Sequence, residues 1–418
     1  MSKLFPTIPL FQAAEISMGQ SPDSSTVNEI NSVGMPFLQG NAEFGDKHPS
    51  PKYSCIRPPR VGETGATLIS VRAPVGQTNI ADRDYCIGRG LAAVRAHEYG
   101  PALCRAIMAH KAGTLKKVSQ GTTFEAISRD DLLSLQVPRI PNAEANLIES
   151  VLDTLDIQIQ KTDALIAKLE KIKEGLLHDL LTRGIDHNGQ LRPSPEKAPE
   201  LYQESALGLI PRDWAVSSAH QDFVIDSGFT LGAHRRPQRN ARPYLRVANV
   251  HRGRLDLSEI AYLEANDEEM AKKSLSKDDL LIVEGHANPG EIGRCAMATE
   301  SVSGYTFQNH LFRLKAIALI PHFAFLWMNS DTVKKYWRKA ASSSSGLYTI
   351  NRTKLEAVPT AKPKNAEQLA ISRLVKKHED EIATATQEHK KLKKLKAGIS
   401  DDLLTGKVRV TSLLKDAV

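Results

Sequence analysis

IESVLDTLDIQIQKTDALIAKLEKIKEGLLHDL, residues 148–180, and ISRLVKKHEDEIATATQEHKKLKKLKAGISDDL, residues 371–403, decide the architecture. In the first, Ile148, Leu152, Leu155, Ile159, Thr162, Ile166 and Leu169 alternate steps of four and three, and Ile172, Leu176 and Leu180 continue the line. That spacing lays one narrow stripe along a helix. At a constant offset of 223 residues the stripe returns as Ile371, Val375, His378, Ile382, Ala385, His389, Leu392, Leu395, Ile399 and Leu403. The flanks repeat at the same offset: Asn142-Ala143-Glu144 as Asn365-Ala366-Glu367, and Asp179-Leu180-Leu181-Thr182 as Asp402-Leu403-Leu404-Thr405. Two equal helices, predicted near 143–181 and 366–404 and each roughly 55 Å long at 1.5 Å per residue, have one economical way to bury such stripes. They pair antiparallel as a coiled coil. His378 and His389 read as tolerated seam residues rather than metal ligands, since no Cys accompanies them.

Outward from the helices, the chain reads as domain, helix, domain, helix. Residues 1–140 form one mixed domain of short strands and Pro/Gly-punctuated loops, and 141–185 the first helical region. Residues 186–204, with Pro193, Pro195 and Pro199 and no periodicity, read as an exposed connector. A second mixed domain spans 205–362, and 363–418 the second helical region. The two domains echo each other. Phe37-Leu38-Gln39-Gly40-Asn41 matches Tyr244-Leu245-Arg246-Val247-Ala248-Asn249, and Leu68-Ile69-Ser70 matches Leu281-Ile282-Val283. A polar loop, Lys116 to Thr123, returns as Ser342 to Gly346, and Ile350 lies 223 after Ile127. The fold class expected is α+β, two mixed domains carried on a paired-helix repeat.

Composition narrows the function. With 41% hydrophobic and 25% charged residues the chain is an ordinary globular protein with sizeable cores. Cys55, Cys86, Cys104 and Cys295 are scattered without a CxxC, which argues against zinc or a disulfide framework and suits a cytoplasmic protein. No apolar run reaches the length needed to cross a bilayer, and the start lacks the apolar core of a signal peptide. A net charge of +7 favours a polyanionic partner. No P-loop, Asn-Pro-Pro-aromatic tetrapeptide, GxSxG or HExxH occurs, and Gly88-Arg89-Gly90 reads as a turn. Asp279 to Glu284-Gly285-His286 is loosely similar to a nuclease carboxylate pair, but His stands where Lys is expected.

Basic residues interleaved with aromatic ones are better represented. Arg235, Arg236, Arg239 and Arg242 fall within eight positions, followed by Arg246. The first domain offers Lys52, Tyr53, Arg57, Arg60, Arg72, Lys116 and Lys117; Lys335 and Arg338 flank Tyr336-Trp337 in the second. Arginine suits bidentate contact with guanine or phosphate. Two such domains held apart by a spacer suit a split duplex DNA site.

These features resemble the specificity (S) subunit of type I restriction–modification systems. The resemblance rests on Ile210-Pro211-Arg212-Asp213-Trp214 opening the second unit, with Ile8-Pro9 as its eroded counterpart, and on Leu68-Ile69-Ser70-Val71-Arg72. It rests most on Lys-(Ile/Leu)-Lys-x-Gly-x-x-x-Asp-Leu-Leu-Thr, present at both 171–182 and 394–405. It implies a non-catalytic subunit whose globular domains each read half of a bipartite DNA sequence. Its helices would set the spacing and dock two methyltransferase (M) subunits, with restriction (R) subunits completing the complex. No cofactor would be bound by this chain; S-adenosylmethionine, ATP and Mg2+ would be used by the partners. A stand-alone methyltransferase or nuclease with drifted motifs, and a pure protein scaffold, are the alternatives.

Overall fold

The computed structural model describes residues 4–30, 33–119, 125–344 and 346–415. Gln120-Gly121-Thr122-Thr123 of the first polar loop, Ser345 of the second and the first three residues lie outside them. Two helices of equal length dominate, Asn142–Thr182 and Asn365–Thr405. The chain divides into two compact units. The first combines Met1–Ile166 with Thr384–Val418, and the second is Ala167–Ala383. Each long helix therefore gives one half to each unit, and within each unit the two halves pair antiparallel.

In the first unit, a four-stranded antiparallel sheet runs in the order Ala14–Met18, Leu91–Ala96, Thr67–Ser70, Thr78–Ile80. A five-stranded sheet accompanies it, in which Met35–Leu38 lies parallel to Tyr85–Ile87. The helix Pro101–His110 covers the first sheet, and its N-terminus is held by the long helix: Glu149 accepts from the Ala102 amide at 2.8 Å. A carboxylate there satisfies amides that the helix itself leaves unpaired. The core joins Ile69, Val94, Leu103 and Ile107 to Ile148 and Leu152 of the first long helix and Leu403 and Leu404 of the second.

The second unit repeats the plan. Phe223–Ser227, Leu311–Ala316, Leu280–Val283 and Cys295–Met297 form the four-stranded sheet. Tyr244-Leu245 lies parallel to Thr306-Phe307, as Phe37-Leu38 does to Cys86-Ile87, so the sequence echo marks equivalent strands. Here Gln368 accepts from the Ile320 amide at 2.8 Å, just ahead of the helix Pro321–Met328. The core joins Phe312, Phe323 and Trp327 to Leu180 and Leu181 of the first long helix and Ile371 and Val375 of the second.

Most of the predicted stripe faces inward. Ile148, Leu152, Ile159, Ile371 and Val375 are buried. Leu155, Ile166, Leu169, Leu176, Ile382, Leu392 and Ile399 are half-buried. Two members do not. Ile172 and Leu395 are 43% and 51% exposed, and the seam passes instead through the half-buried Lys173 and Lys396. Beyond Leu169 the sequence breaks its four–three alternation, and a lysine stem can fill an apolar position while carrying its charge to a partner.

Two local readings change as well. Lys116 and Lys117 belong not to a loop but to a helical segment, Ala112–Val118, whose Leu115 is buried. Residues 186–204 are not a fully exposed connector. Arg192 and Ala198 are buried, Ile185 bridges Leu191, and Tyr202–Ser205 pairs with Gly208–Pro211.

The seam shift is measurable. Leu152→Ala should cost about 2–5 kcal/mol, the range for truncating a fully packed leucine. Ile172→Ala, at the exposed position, should stay within about 0.5 kcal/mol. Urea unfolding of the two variants checks this.

Candidate nucleic-acid interface

Each unit builds one charged node inside its helix pair. In the first, Asp156 of the first long helix meets Lys396 of the second and, at 3.5 Å, Arg105 of the helix Pro101–His110. Arg105 also donates to the Asp46 carbonyl at 2.9 Å, and Lys47 reaches Asp153 at 2.8 Å. In the second, Glu379 takes the place of Asp156. Lys173 approaches it at 3.5 Å and His322 at 3.6 Å, the latter from the helix Pro321–Met328. Asp156 and Glu379, like Lys173 and Lys396, are related by the same 223-residue offset as the apolar stripe. Both nodes thus tie three things together: one long helix, its antiparallel neighbour, and the helix that backs the globular sheet.

The electrostatics follow burial. Burial pushes the Lys396 ammonium down, against the hydrogen bond to Asp156, and Arg105 and Lys47 repel it in the same direction. Burial alone would raise Glu379, but the His322 hydrogen bond and the Lys173 charge outweigh it and hold the carboxyl below its ordinary range.

A second carboxylate repeats at the start of each long helix. Glu144 is gripped by the Arg409 guanidinium, which also lies 4.5 Å over the Phe5 ring. Glu367 accepts from Arg192, from the Ile185 amide at 2.9 Å and from the Trp214 indole at 3.1 Å. Trp214 is thus where the sequence motif meets the helix frame.

On this frame the predicted contact residues fall into two groups. Lys52, Tyr53, Arg57, Arg60, Arg72, Lys116 and Lys117 of the first unit are exposed, as are Arg236, Arg239, Lys335 and Arg338 of the second. Tyr53 sits on the strand Tyr53–Cys55, and Lys335 and Arg338 on the helix Asp331–Ala340. Arg235, Arg242 and Arg246 are half-buried and each pairs with an acid, those of Arg242 and Arg246 lying at the surface. Arg235 stacks 4.5 Å over Phe229 and binds Glu269 at 2.7 Å, a contact that holds the Glu269 carboxyl down at about 2. Arg242 pairs with Asp267, and Arg246 with Glu259 at 3.0 Å. Those three shape the arginine-rich loop, and Arg236 and Arg239 are displayed by it.

The remaining chemistry-bearing residues do not converge. Asp279 is buried with its carboxyl pushed up by burial, and accepts from the Ser276 amide at 2.9 Å, while Glu284 pairs with His310. His389 contacts Asp163 at 2.9 Å, and His378 contacts Glu381 at 3.2 Å. No cluster of three or more His, Cys, Asp or Glu residues placed to hold a metal occurs among the described residues. Among them, no helix is long and apolar enough to cross a membrane.

The nodes and the glutamate clamps are not apparent in sequence because partners such as Arg192 and Glu367, Asp156 and Lys396, and Glu144 and Arg409 lie 175 to 265 residues apart along the chain. The repeats of Glu144 as Glu367 and of Lys173 as Lys396 are visible in sequence, and the same offset relates Asp156 to Glu379, which is the signal that finds the nodes.

A duplicated α+β unit on an antiparallel helix pair, with basic loops displayed from each copy, defines the class. The comparisons place it further. No family model matches the chain. It is 37% identical over 172 residues to the putative type I restriction enzyme MjaX specificity subunit of Methanocaldococcus jannaschii, a match covering 40% of each chain. It is 24% identical over 313 residues to the MjaVIII specificity subunit of the same organism, covering 72% of this chain and 69% of that one. The solved S subunit from M. genitalium shares the fold along 96% of both chains, with a TM-score of 0.56 at 14% identity. The chain is therefore similar, over part or most of its length, to type I restriction enzyme specificity subunits.

The clamp on Glu144 sets a pH dependence. The Arg409 hydrogen bond holds that carboxyl below its ordinary value of 4.5. Its contribution is therefore complete above the unfolded value and is lost as pH falls through the lower folded one. Urea midpoints should decline on acidification below about pH 5, and Arg409→Met should flatten the part of that decline belonging to the first unit.

Proposed function

We propose that this chain is the DNA sequence-specificity subunit of a type I restriction–modification complex, with no catalytic activity of its own. The observation that carries the reading is the duplicated globular domain on a common helical frame, each copy displaying exposed basic side chains: Arg57, Arg60 and Arg72 in one, Arg236 and Arg239 in the other. The half-buried Arg235, stacked on Phe229 and paired with Glu269, braces the loop that displays Arg236 and Arg239, which is what base or phosphate recognition requires of its scaffold. Residues 1–140 and 205–362 would each read one half of a bipartite duplex, phosphate contacts supplying most of the affinity and base contacts the sequence.

The helical frame would hold the two half-sites at a set spacing and dock M subunits. Exposed apolar residues on it support docking: Ile157, Leu165 and Leu395 in the first unit, and Ile172, Leu369 and Leu374 in the second. S-adenosylmethionine would be used by M, and ATP and Mg2+ by R, so this chain binds none of them. The complex would act in the cytoplasm.

Methylome sequencing of cells carrying the chain with its M subunits tests the reading: a bipartite adenine-methylation motif supports it. Methyl transfer by the purified chain alone would replace it with the stand-alone enzyme. Two finer outcomes follow. Arg236→Ala with Arg239→Ala should weaken DNA binding by about tenfold or more, reduce the salt slope by about one or two, and alter only one half of the motif. Inserting four residues near Ala167 should change the distance between half-sites and leave their sequences intact.

A further inference from the structure

A cavity of about 430 Å3 opens on the second unit, within the size range of ligand pockets. Its wall includes Val247, Glu284, His310, Thr349, Asn351 and Lys354. The His310 Nδ1 stands 2.7 Å from the Glu284 carboxylate, whose side chain is 30% exposed. A carboxylate only accepts, so Nδ1 carries the proton and the ring fixes the carboxylate's orientation, leaving other lone pairs toward the opening.

The backbone beneath this pair is locked. The Glu284 amide donates to the His310 carbonyl at 3.0 Å, and the Ile350 amide donates to the Glu284 carbonyl at 2.9 Å. The first unit makes the same two bonds at equivalent places: Val71 amide to Gly90 carbonyl, and Ile127 amide to Val71 carbonyl, both at 2.9 Å. Glu284 therefore replaces Val71, and His310 replaces Gly90, on one unchanged scaffold. The substitution is without a structural need, since the first unit closes the same node with an aliphatic side chain and a glycine. Lys354 lines the cavity beside this acid, and the buried Arg294 braces its wall by donating to the Val247 carbonyl at 2.9 Å. The lysine suits a polyanionic ligand, whereas the carboxylate inside selects a hydrogen-bond donor.

We propose that Glu284, oriented by His310, is a specificity-determining residue of the second unit that accepts a hydrogen bond from the exocyclic amine of one base, cytosine N4 or adenine N6, in the DNA half-site. This inference rests on the DNA-reading function proposed above. A carboxylate accepting from an amino group rejects guanine and thymine at that position, because their major-groove oxygens would face it acceptor to acceptor. Glu284 makes the readout; His310 is a positioning residue.

The test is selection of bound duplexes from a randomised pool by the full chain assembled with its M subunits, for the wild type, Glu284→Gln, Glu284→Val, His310→Ala and His310→Gln. Thermal unfolding of each variant alongside confirms folding. The expected result is a preference for C or A at one position of one half-site, with about 5- to 150-fold discrimination, that collapses in Glu284→Val. In Glu284→Gln that position alone should relax to admit G or T, since an amide can also donate. His310→Ala should weaken the same position, and His310→Gln, which restores a donor, should recover part of it. Which amino base is selected tells cytosine from adenine. An unchanged motif with intact binding, or changes spread over both half-sites, overturns the inference and leaves the DNA-reading function standing. A wild-type complex that selects no sequence overturns both.

Discussion

A carboxylate buried in an apolar helix seam cannot be left alone, and this protein turns that penalty into alignment. A purely apolar stripe is nearly degenerate, since sliding one helix by a heptad still puts leucine against leucine. Sliding past Lys396 would strip Asp156 of its partner inside the seam, at a cost on the order of 3–5 kcal/mol for breaking a buried pair. Glu379 and Lys173, half-buried and 3.5 Å apart, impose a milder form of the condition in the second unit. The pairs need not add net stability over an apolar alternative to do this. They need only make every wrong register worse.

The third member of each node extends the constraint from helices to domains. Arg105 and His322 come from helices that back the four-stranded sheets, so the acid that fixes helix register also fixes where each globular body sits on its own stretch of the pair. The N-termini of those helices are anchored by Glu149 and Gln368, again from the long helices. The chemistry and the positions differ between the copies, guanidinium against imidazole and a carboxylate on amides inside the helix against an amide on the one just ahead of it, while the anchoring role is kept. A rigid mount of this kind is what loop-borne recognition needs, because contacts worth a few kcal/mol depend on placement to fractions of an ångström.

Helix positions, their pairing and the equivalence of the two domains were legible in sequence because each rests on a period or a repeat. Failures came where a residue's partner lies far along the chain. Ile172 and Leu395 were placed in the seam because they are apolar and close to phase, but lysine one residue later finds an acid on the opposite helix and takes the position. Residues 186–204 read as exposed because proline, charge and lack of period describe a connector; Arg192 is buried because Glu367, 175 residues away, needs a counter-ion. Lys116 and Lys117 looked like loop because Gly113 and the polar stretch after them hid a short helix closed over Leu115. The arginine cluster was legible as charge but not as structure, since its division into paired and displayed side chains depends on Phe229, Glu259, Asp267 and Glu269.

Glu284 and His310 show how variation and rigidity coexist. They stand 26 residues apart in sequence, and they meet because Val283 pairs with Leu311 at the end of the central antiparallel ladder. What holds them there is main chain: amide-to-carbonyl bonds that the first unit makes equally well with Val71 and Gly90. Backbone bonds are indifferent to side-chain identity, so the node can exchange an aliphatic group for a carboxylate without disturbing the sheet. A seam residue such as Asp156 has no such freedom, since its side chain is itself the fastening. The division follows from the physics of each position: side chains that fasten the frame stay charged or polar in both copies, and side chains launched from a backbone-fastened edge are free to change from apolar to charged.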